Sequence, residues 1–444
     1  MSRKRLFGVV IAILVFVATL FALVPGEGHW DDYGVDEAHK VADTYFLRLV
    51  LEGKLHDPAW LRHIVDRTNP PAGKYLFGFA ALASGSPIPP TLGIRVEKPE
   101  GDLGQRLRPP WGDELRPTLI ADRWVSLIAT ALIAALVAYV SLLEHGLAAS
   151  IVATLLYATS FLTVTFARMA VYDPLLTLFV TATIAPIALL WHRRRSRIIT
   201  LLLALVAGSV GAAAFQIRLS GLTSTVATVA VLFVLWIRRR DRLLVVAMMT
   251  SFAVTLVVGT AINPYYWTTA HPADGVPPEF RTRTSLPSRI AHRYELQIQD
   301  LGLLLQREIR KNPPFTMRRK VRFSFEYLFG DWSGIFLLFG LLLAGLAWLP
   351  GGTARRDNLA LLSVWSGSIC VTLWLWLPLP WSRYLLPLIP PLAIVAGFGW
   401  GELLQQLVAR IGDTAIGERL KLIPAGSRDR TATPPSLPGS GADR

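Results

Sequence analysis

Apolar residues in this chain come in long blocks, not in the strict alternation of half-buried strands. Ten blocks are long enough, or nearly so, to cross about 30 Å of hydrocarbon as a helix. They fall at 6–24, 119–143, 147–166, 174–191, 198–217, 219–237, 243–262, 333–349, 358–377 and 384–404. The pattern predicts an all-α integral membrane protein of about ten transmembrane helices. The first block follows a basic Met1–Arg5 and runs about 19 residues, longer than a signal-peptide core of about 7–15. No small-residue cleavage motif follows at Pro25–Gly26, so the first helix is expected to stay in the protein.

Composition agrees, with 52% hydrophobic and 17% charged residues against about 25% charged in soluble domains. The net charge of +14 could suit nucleic acid, but its arginines fall in short clusters between the apolar blocks. These clusters are Arg3–Lys4–Arg5, Arg193–Arg194–Arg195 with Arg197, Arg238–Arg239–Arg240 with Arg242, and Arg355–Arg356. A ten-helix weave puts all of them on one side. The positive-inside rule makes that side cytoplasmic, with both termini there and no nucleic-acid partner. Tryptophans 30, 124, 191, 236, 267, 332, 348 and 381 lie near block ends, as an interfacial belt requires. The single cysteine, Cys370, allows no intrachain disulfide.

Two long segments then face outward, 25–118 and 263–332. In Glu37–Leu51, Ala38, Val41, Tyr45 and Leu49 recur at helical spacing before Gly53. This predicts one amphipathic helix lying at the membrane interface. Pro287–Lys311 reads similarly, with Ser285 as N-cap and Asn312–Pro313–Pro314 as stop. Residues 315–329 mix basic and aromatic side chains, which suits a surface of anionic head groups. Residues 84–117 read as irregular. The expected division is a membrane domain over 1–410, with 25–118 as its catalytic loop, and a disordered cytoplasmic tail over 411–444.

No phosphate-binding loop, dinucleotide fingerprint, CxxC or HExxH is present. An outward-facing site has no nucleotide sugar to use, so a group-transfer donor there must be lipid-borne. Asp36–Glu37 follows the first helix, and Asp36 reads either as a helix cap or as a catalytic carboxylate. Asp173 opens the fourth block before Pro174, again either a helix start or a functional acid at membrane depth. Arg123, Arg168, Arg218 and Arg383 sit at outer ends of blocks, where topology does not ask for positive charge. They either pair with Asp36, Asp122 or Asp173, or hold a phosphate through the guanidinium fork. Lys74 adds a further cation. His39, His56 and His63 show no metal-ligand spacing. Moving a sugar from a polyprenyl phosphate to a hydroxyl needs a base and cations, since the leaving phosphate requires no general acid.

The order of short motifs resembles the GT-C membrane glycosyltransferases, specifically the protein O-mannosyltransferase-like and aminoarabinose-transferase-like enzymes. The motifs are Val35–Asp36–Glu37–Ala38–His39, Asn69–Pro70–Pro71–Ala72–Gly73–Lys74–Tyr75, Ala121–Asp122–Arg123–Trp124–Val125–Ser126, Tyr172–Asp173–Pro174, Arg218–Leu219–Ser220–Gly221–Leu222 and Arg383–Tyr384–Leu385–Leu386–Pro387. The resemblance implies Asp36 as base supported by Glu37, Asp173 positioning the acceptor or a divalent cation, and Arg123 and Arg383 on the donor phosphate. Lys74, Arg218 and Arg168 are further phosphate candidates, and Tyr33, His39, Asn69, Tyr172 and Tyr384 are pocket candidates. Asn69 stands where the mannosyltransferases usually carry His. The implied donor is a polyprenyl-phosphate sugar, the acceptor a protein, lipid or glycan, and the setting the outer face of a bacterial cytoplasmic membrane. Two rival readings are a transporter or lipid flippase, and a non-catalytic assembly subunit.

Overall fold

The computed structural model describes residues 3–24, 37–62, 69–91, 96–97, 106–107, 111–192, 195–269, 280, 285–311, 316–348, 353–376 and 381–412. The chain forms two compact units, Met1–Glu402 and Leu403–Arg444. In the second, the described residues 403–412 are helical, and the rest of the expected tail lies outside the described residues.

In chain order the helices are α1 (Arg3–Leu23), α2 (Glu37–Asp43), α3 (Tyr45–Leu51), α4 (Ala59–Arg62), α5 (Ala72–Ala83), α6 (Trp111–Glu114) and α7 (Arg116–His145). They continue with α8 (Leu147–Thr159), α9 (Phe161–Ala167), α10 (Asp173–Ala182), α11 (Ile184–His192), α12 (Arg197–Ile217), α13 (Leu222–Arg239) and α14 (Arg242–Ala261). The last are α15 (Pro264–Trp267), α16 (Leu286–Lys311), α17 (Met317–Phe329), α18 (Trp332–Trp348), α19 (Thr353–Trp376) and α20 (Ile389–Gly412), with 3-10 turns at Leu219–Gly221 and Ser382–Leu388. The apolar blocks are helical over nearly all their described residues, 147–166 and 174–191 as two helices each. Among the described residues seven helices are long and apolar enough to cross a membrane, or up to nine if two bent pairs count as spans. The ninth block, 358–377, holds a shorter apolar stretch, Leu359–Leu375. The protein is a multi-pass, helical membrane protein.

The breaks have local causes. The α8–α9 pair bends by 60° at Ser160, whose extended backbone cannot continue the helix. The α10–α11 break falls at Thr183, three residues before Pro186, which supplies no backbone N–H to a regular ladder. Pro387, with Pro390 and Pro391 close behind, leaves Ser382–Leu388 as a tight 3-10 turn leading into α20.

Small residues set the contact between α12 and α14. α12 packs on α14 with Ala204, Ala207, Gly208 and Gly211 buried. A Cβ at Gly208 would lie 2.6 Å from the Ser251 carbonyl oxygen, so only glycine allows the backbones this near. Thr255 Oγ1 uses the approach to donate to the Gly208 carbonyl at 3.1 Å.

Two expectations are corrected. Residues 37–51 do not form one surface helix. The run breaks at Thr44, whose hydroxyl donates to the Val41 carbonyl at 2.7 Å, and α2 is buried along most of its length. Its Glu37, Lys40 and Asp43 find ionic partners inside, which a helix lying at an interface would not offer. Within 84–117, expected to be irregular, two short antiparallel strands pair Val96 with Leu107 and Glu97 with Arg106.

The two ends of the bundle differ in chemistry. At one end, Glu144 meets His192 at 2.8 Å. There too Arg239 Nη1 donates to the Leu190 carbonyl at 3.0 Å, and Arg238 stacks on Trp191. The connections after α7, α11 and α13 therefore share that end, as the weave requires. At the other end the two long segments close on each other. Thr268 Oγ1 donates to the Leu55 carbonyl at 2.8 Å, and a second apolar cluster joins Phe46, Leu49, Trp60, Tyr265, Tyr266 and Phe280.

Candidate active site

The charged face of α2 is the centre of the second end. Glu37, Lys40 and Asp43 lie at i, i+3 and i+6, hence on one face of the helix, and all three are buried. Glu37 is wholly enclosed. Its carboxylate accepts Arg123 Nε at 2.8 Å on one oxygen and Arg123 Nη2 at 2.7 Å on the other. The Ala170 backbone N–H adds a third bond at 2.6 Å. Such a two-pronged, charge-assisted pair fixes both partners in angle as well as distance. It ties α2 to α7 and to the turn between α9 and α10.

Asp43 gathers a second set. It accepts the Tyr172 hydroxyl at 2.9 Å, with Lys40 Nζ at 3.6 Å and Lys74 Nζ at 4.0 Å. Lys40 lies over the Tyr172 ring and Lys74 over the Phe46 ring, 4.4 and 4.0 Å from the centroids. Gly73 makes this possible: a Cβ there would stand 2.7 Å from the Tyr172 ring. Asp122 is fully buried beside the charges of Glu37 and Asp43, and its oxygens find no hydrogen-bond donor among the described residues.

Asp173, the residue after Tyr172, turns to a different partner. It begins α10 and meets Arg218 Nη1 at 3.1 Å, fully buried while Arg218 is nearly so. Arg218 is extended (φ −153°, ψ 149°) where α12 gives way to the 3-10 turn, which aims its side chain across the bundle. Its guanidinium lies 5.2 Å from the Tyr384 ring centroid. Tyr384 stacks on Trp381 at 5.6 Å, and Arg383 sits over Trp381 at 4.5 Å. The strip Ala170–Asp173 thus carries both halves of the site, one acid–base set on each side. Around it, burial raises the Tyr75 and Tyr266 phenols above their ordinary pKa, with the Tyr294 phenol adding to the effect at Tyr266. Both therefore serve as donors, Tyr75 to the Ile262 carbonyl and Tyr266 to Gln297 Oε1.

Solved structures show what this architecture is. The oligosaccharyltransferase of Archaeoglobus fulgidus, in complex with Zn and sulfate, matches with a TM-score of 0.53 at 13% identity over 91% of this chain and 50% of its own. The same enzyme tethered to an acceptor peptide gives 0.52 at 15% identity over 95% and 52%. The chain has the GT-C fold. ArnT from Cupriavidus metallidurans in the apo state aligns at 0.49 and 14% identity over 91% of this chain and 63% of its own. The chain spans about half to just under two thirds of the length of these structures. No protein-family model matches the sequence, and no curated protein does.

On the GT-C scaffold the sequence candidates sort as follows. Asp36 and Tyr33 lie outside the described residues. Glu37, Lys74, Arg123 and Tyr172 come together around α2, while Asp173, Arg218, Arg383 and Tyr384 form the adjoining set. Two arginines expected near phosphate are paired internally, Arg123 with Glu37 and Arg218 with Asp173. Arg168 Nε donates to the Leu23 carbonyl at 3.1 Å, pinning the end of α1. Asn69 is half-buried just before α5, and His39 is exposed on α2. Lys40 and Asp43 were not among the candidates. Their signal is the three-residue spacing from Glu37. Among the described residues no three His, Cys, Asp or Glu side chains converge as metal ligands. A groove of ≈ 580 Å³, lined by apolar residues such as Leu155, Phe336 and Trp400, shares no residue with this site.

Proposed function

We propose that the protein is an inverting glycosyltransferase moving a sugar from a polyprenyl-phosphate donor to an acceptor hydroxyl. The observation that carries this reading is the buried union of carboxylates and cations at the end where the two long segments meet. The basic connections at the opposite end mark the cytoplasm, which leaves the site facing out, beyond the reach of nucleotide sugars. Asp36 is the base that deprotonates the acceptor hydroxyl. It is the peptide neighbour of Glu37, whose carboxylate is held by Arg123 and Ala170. The acceptor oxygen then attacks the anomeric carbon, the bond to the phosphate oxygen breaks, and the lipid phosphate leaves with both electrons. Arg383 and Lys74 stabilise that leaving charge electrostatically. Arg123 and Arg218 contribute through their field while holding Glu37 and Asp173, and Asp173 positions the acceptor. Tyr33, His39, Asn69, Tyr172 and Tyr384 complete the pocket, with Arg168 at its edge. A divalent cation in the site would be held through Asp173.

The fold supports the donor class. The archaeal oligosaccharyltransferase that shares it has been solved with an inhibitory peptide and a dolichol-phosphate. On this reading the membrane is the bacterial cytoplasmic membrane, residues 1–410 form the catalytic domain, and 411–444 is a cytoplasmic tail. The test is reconstitution in proteoliposomes with a polyprenyl phosphate carrying labelled sugar. Label should leave the lipid and appear covalently on an acceptor, with free polyprenyl phosphate as co-product. Movement of intact donor between leaflets without covalent product would overturn the assignment in favour of a flippase.

A further inference from the structure

We infer that the groove between α8, α18 and α20 binds an aminophospholipid, with one acyl chain in the groove and the primary ammonium of the head group at Asp331. The two bends of the bundle create the space. α9 turns from α8 by 60° and α17 from α18 by 104°. Both α9 and α17 pack on the 3-10 turn Ser382–Leu388, which puts the two corners at the end that carries the candidate site. Asp331 ties the corners together, its Oδ2 accepting the Phe161 N–H at 3.1 Å. Beside that tie a groove of ≈ 580 Å³ opens between α8 and α18.

The walls are apolar. Val152, Leu155, Leu156 and Thr159 line it from α8 at i, i+3, i+4 and i+7, hence from one helix face. Trp332 and Phe336 line it from α18, and Trp400 from α20. Trp400 comes close to α18 because Gly340 has no side chain; a Cβ there would stand 2.7 Å from the indole ring. The polar atoms of the lining are turned to the protein. Trp400 Nε1 donates to the Phe336 carbonyl at 3.0 Å, and Thr159 Oγ1 to the Leu155 carbonyl at 2.7 Å. Ile151, Phe161 and Phe339 around the groove are exposed, so it opens to hydrocarbon. Val152–Thr159 covers about 10 Å of helix, far less than the roughly 30 Å a partner transmembrane helix would use. A lipid chain fits such a space.

Charge selects the head group. Asp331 is half-exposed at the mouth of the groove. Among the described residues its hydrogen-bond partners are the Ser333 hydroxyl and the Gly334 N–H on Oδ1 and the Phe161 N–H on Oδ2, with no cation. Arg322, the cation closest to it in sequence, is paired with Glu326 at 2.7 Å. A carboxylate offers about four acceptor positions, so one stays open on Oδ2. A primary ammonium brings both the opposite charge and an N–H for that position. A trimethylammonium brings only the charge, while phosphatidylglycerol or a polyprenyl phosphate brings like charge. Trp332 beside it, 80% exposed, is the residue type that marks head-group level.

The test is native mass spectrometry of the full-length protein in detergent containing phosphatidylethanolamine, phosphatidylcholine and phosphatidylglycerol in equal amounts and with the same acyl chains. Phosphatidylethanolamine should be retained over either competitor by about two- to fivefold, the range of a partly exposed ion pair. Asp331→Glu should keep that preference and Asp331→Asn should lose it. Leu155→Trp, at a position 56% exposed, should fill the groove and lose the bound lipid at an unchanged unfolding midpoint. Equal retention of the three lipids by the parent would overturn the inference, as would a preference that survives Asp331→Asn or lipid held undiminished by Leu155→Trp. Displacement of the bound lipid by an equal amount of undecaprenyl phosphate would overturn it too, since the groove would then hold the donor's chain. The measurement needs no turnover, so its failure leaves the glycosyl-transfer reading untouched.

Discussion

At the scale of single residues, Glu37 shows how burial changes the meaning of a charge. In the sequence it is the companion of Asp36, and a cap or first-turn acid would look the same. In the fold its carboxylate accepts three hydrogen bonds and neutralises Arg123 in the interior. Replacing Glu37 with Gln removes the carboxylate of this buried pair, which should cost about 3–5 kcal/mol. Thermal unfolding in detergent should show a clearly lowered midpoint, and an unchanged one would mean that the pair is not structural. Asp173 and Arg218 make a parallel case. A double-mutant cycle with Asp173→Asn and Arg218→Gln should give a coupling of about 0.5–3 kcal/mol. Additive unfolding free energies would contradict the contact. Lys40 and Asp43 mark the limit of reading residues one at a time. Their spacing from Glu37 is plain in the sequence, but a charged helix face is ordinarily solvated, and only packing turns this one inward.

Helices and turns were legible where apolar length alone decides them, and hidden where a partner decides. The ten apolar blocks all become helix because a long apolar run has few other ways to satisfy its backbone in lipid. The break at Thr183 follows from Pro186, whereas the division of 37–51 at Thr44 depends on neighbours that local pattern does not reveal. The approach of α12 to α14 is likewise a property of the pair. Gly208→Val would drive methyl groups into the Ser251 carbonyl and Val254, and overpacking of this kind costs about 1–3 kcal/mol. The same measurement on Gly345→Ala, where a Cβ meets nothing within 4 Å, should leave the midpoint unchanged or higher. Equal loss in both variants would argue against close packing as the cause.

Across the whole molecule, the alternation of basic clusters with apolar blocks carries most of the account. It anticipates that the connections after α7, α11 and α13 share one end, and the ion pairs and stacking there agree. Which end faces the cytoplasm is an electrostatic argument, and labelling tests it. Cys370 is the single cysteine, so Cys370→Ser supplies a background for cysteines placed one at a time at Ser196 and Ser285, both exposed. A membrane-impermeant maleimide should label position 285 in intact cells and position 196 only after permeabilisation. The reverse pattern would put the candidate site in the cytoplasm and remove the case for a lipid-borne donor. The GT-C architecture was within reach of the sequence because its short motifs keep their order. How they meet was not, since Ala170–Asp173 touches α2 on one side and Arg218 on the other through contacts from distant parts of the chain.

The central claim is that Asp36 is the catalytic base, and one comparison tests it most directly. Parent protein and Asp36→Asn, purified to the same unfolding midpoint and reconstituted in the same proteoliposomes, are given a labelled polyprenyl-phosphate sugar and an acceptor on which the parent is active. Loss of a general base should lower the rate by about 10²–10⁴-fold while the protein stays folded. Transfer by Asp36→Asn at the parent rate would contradict the account.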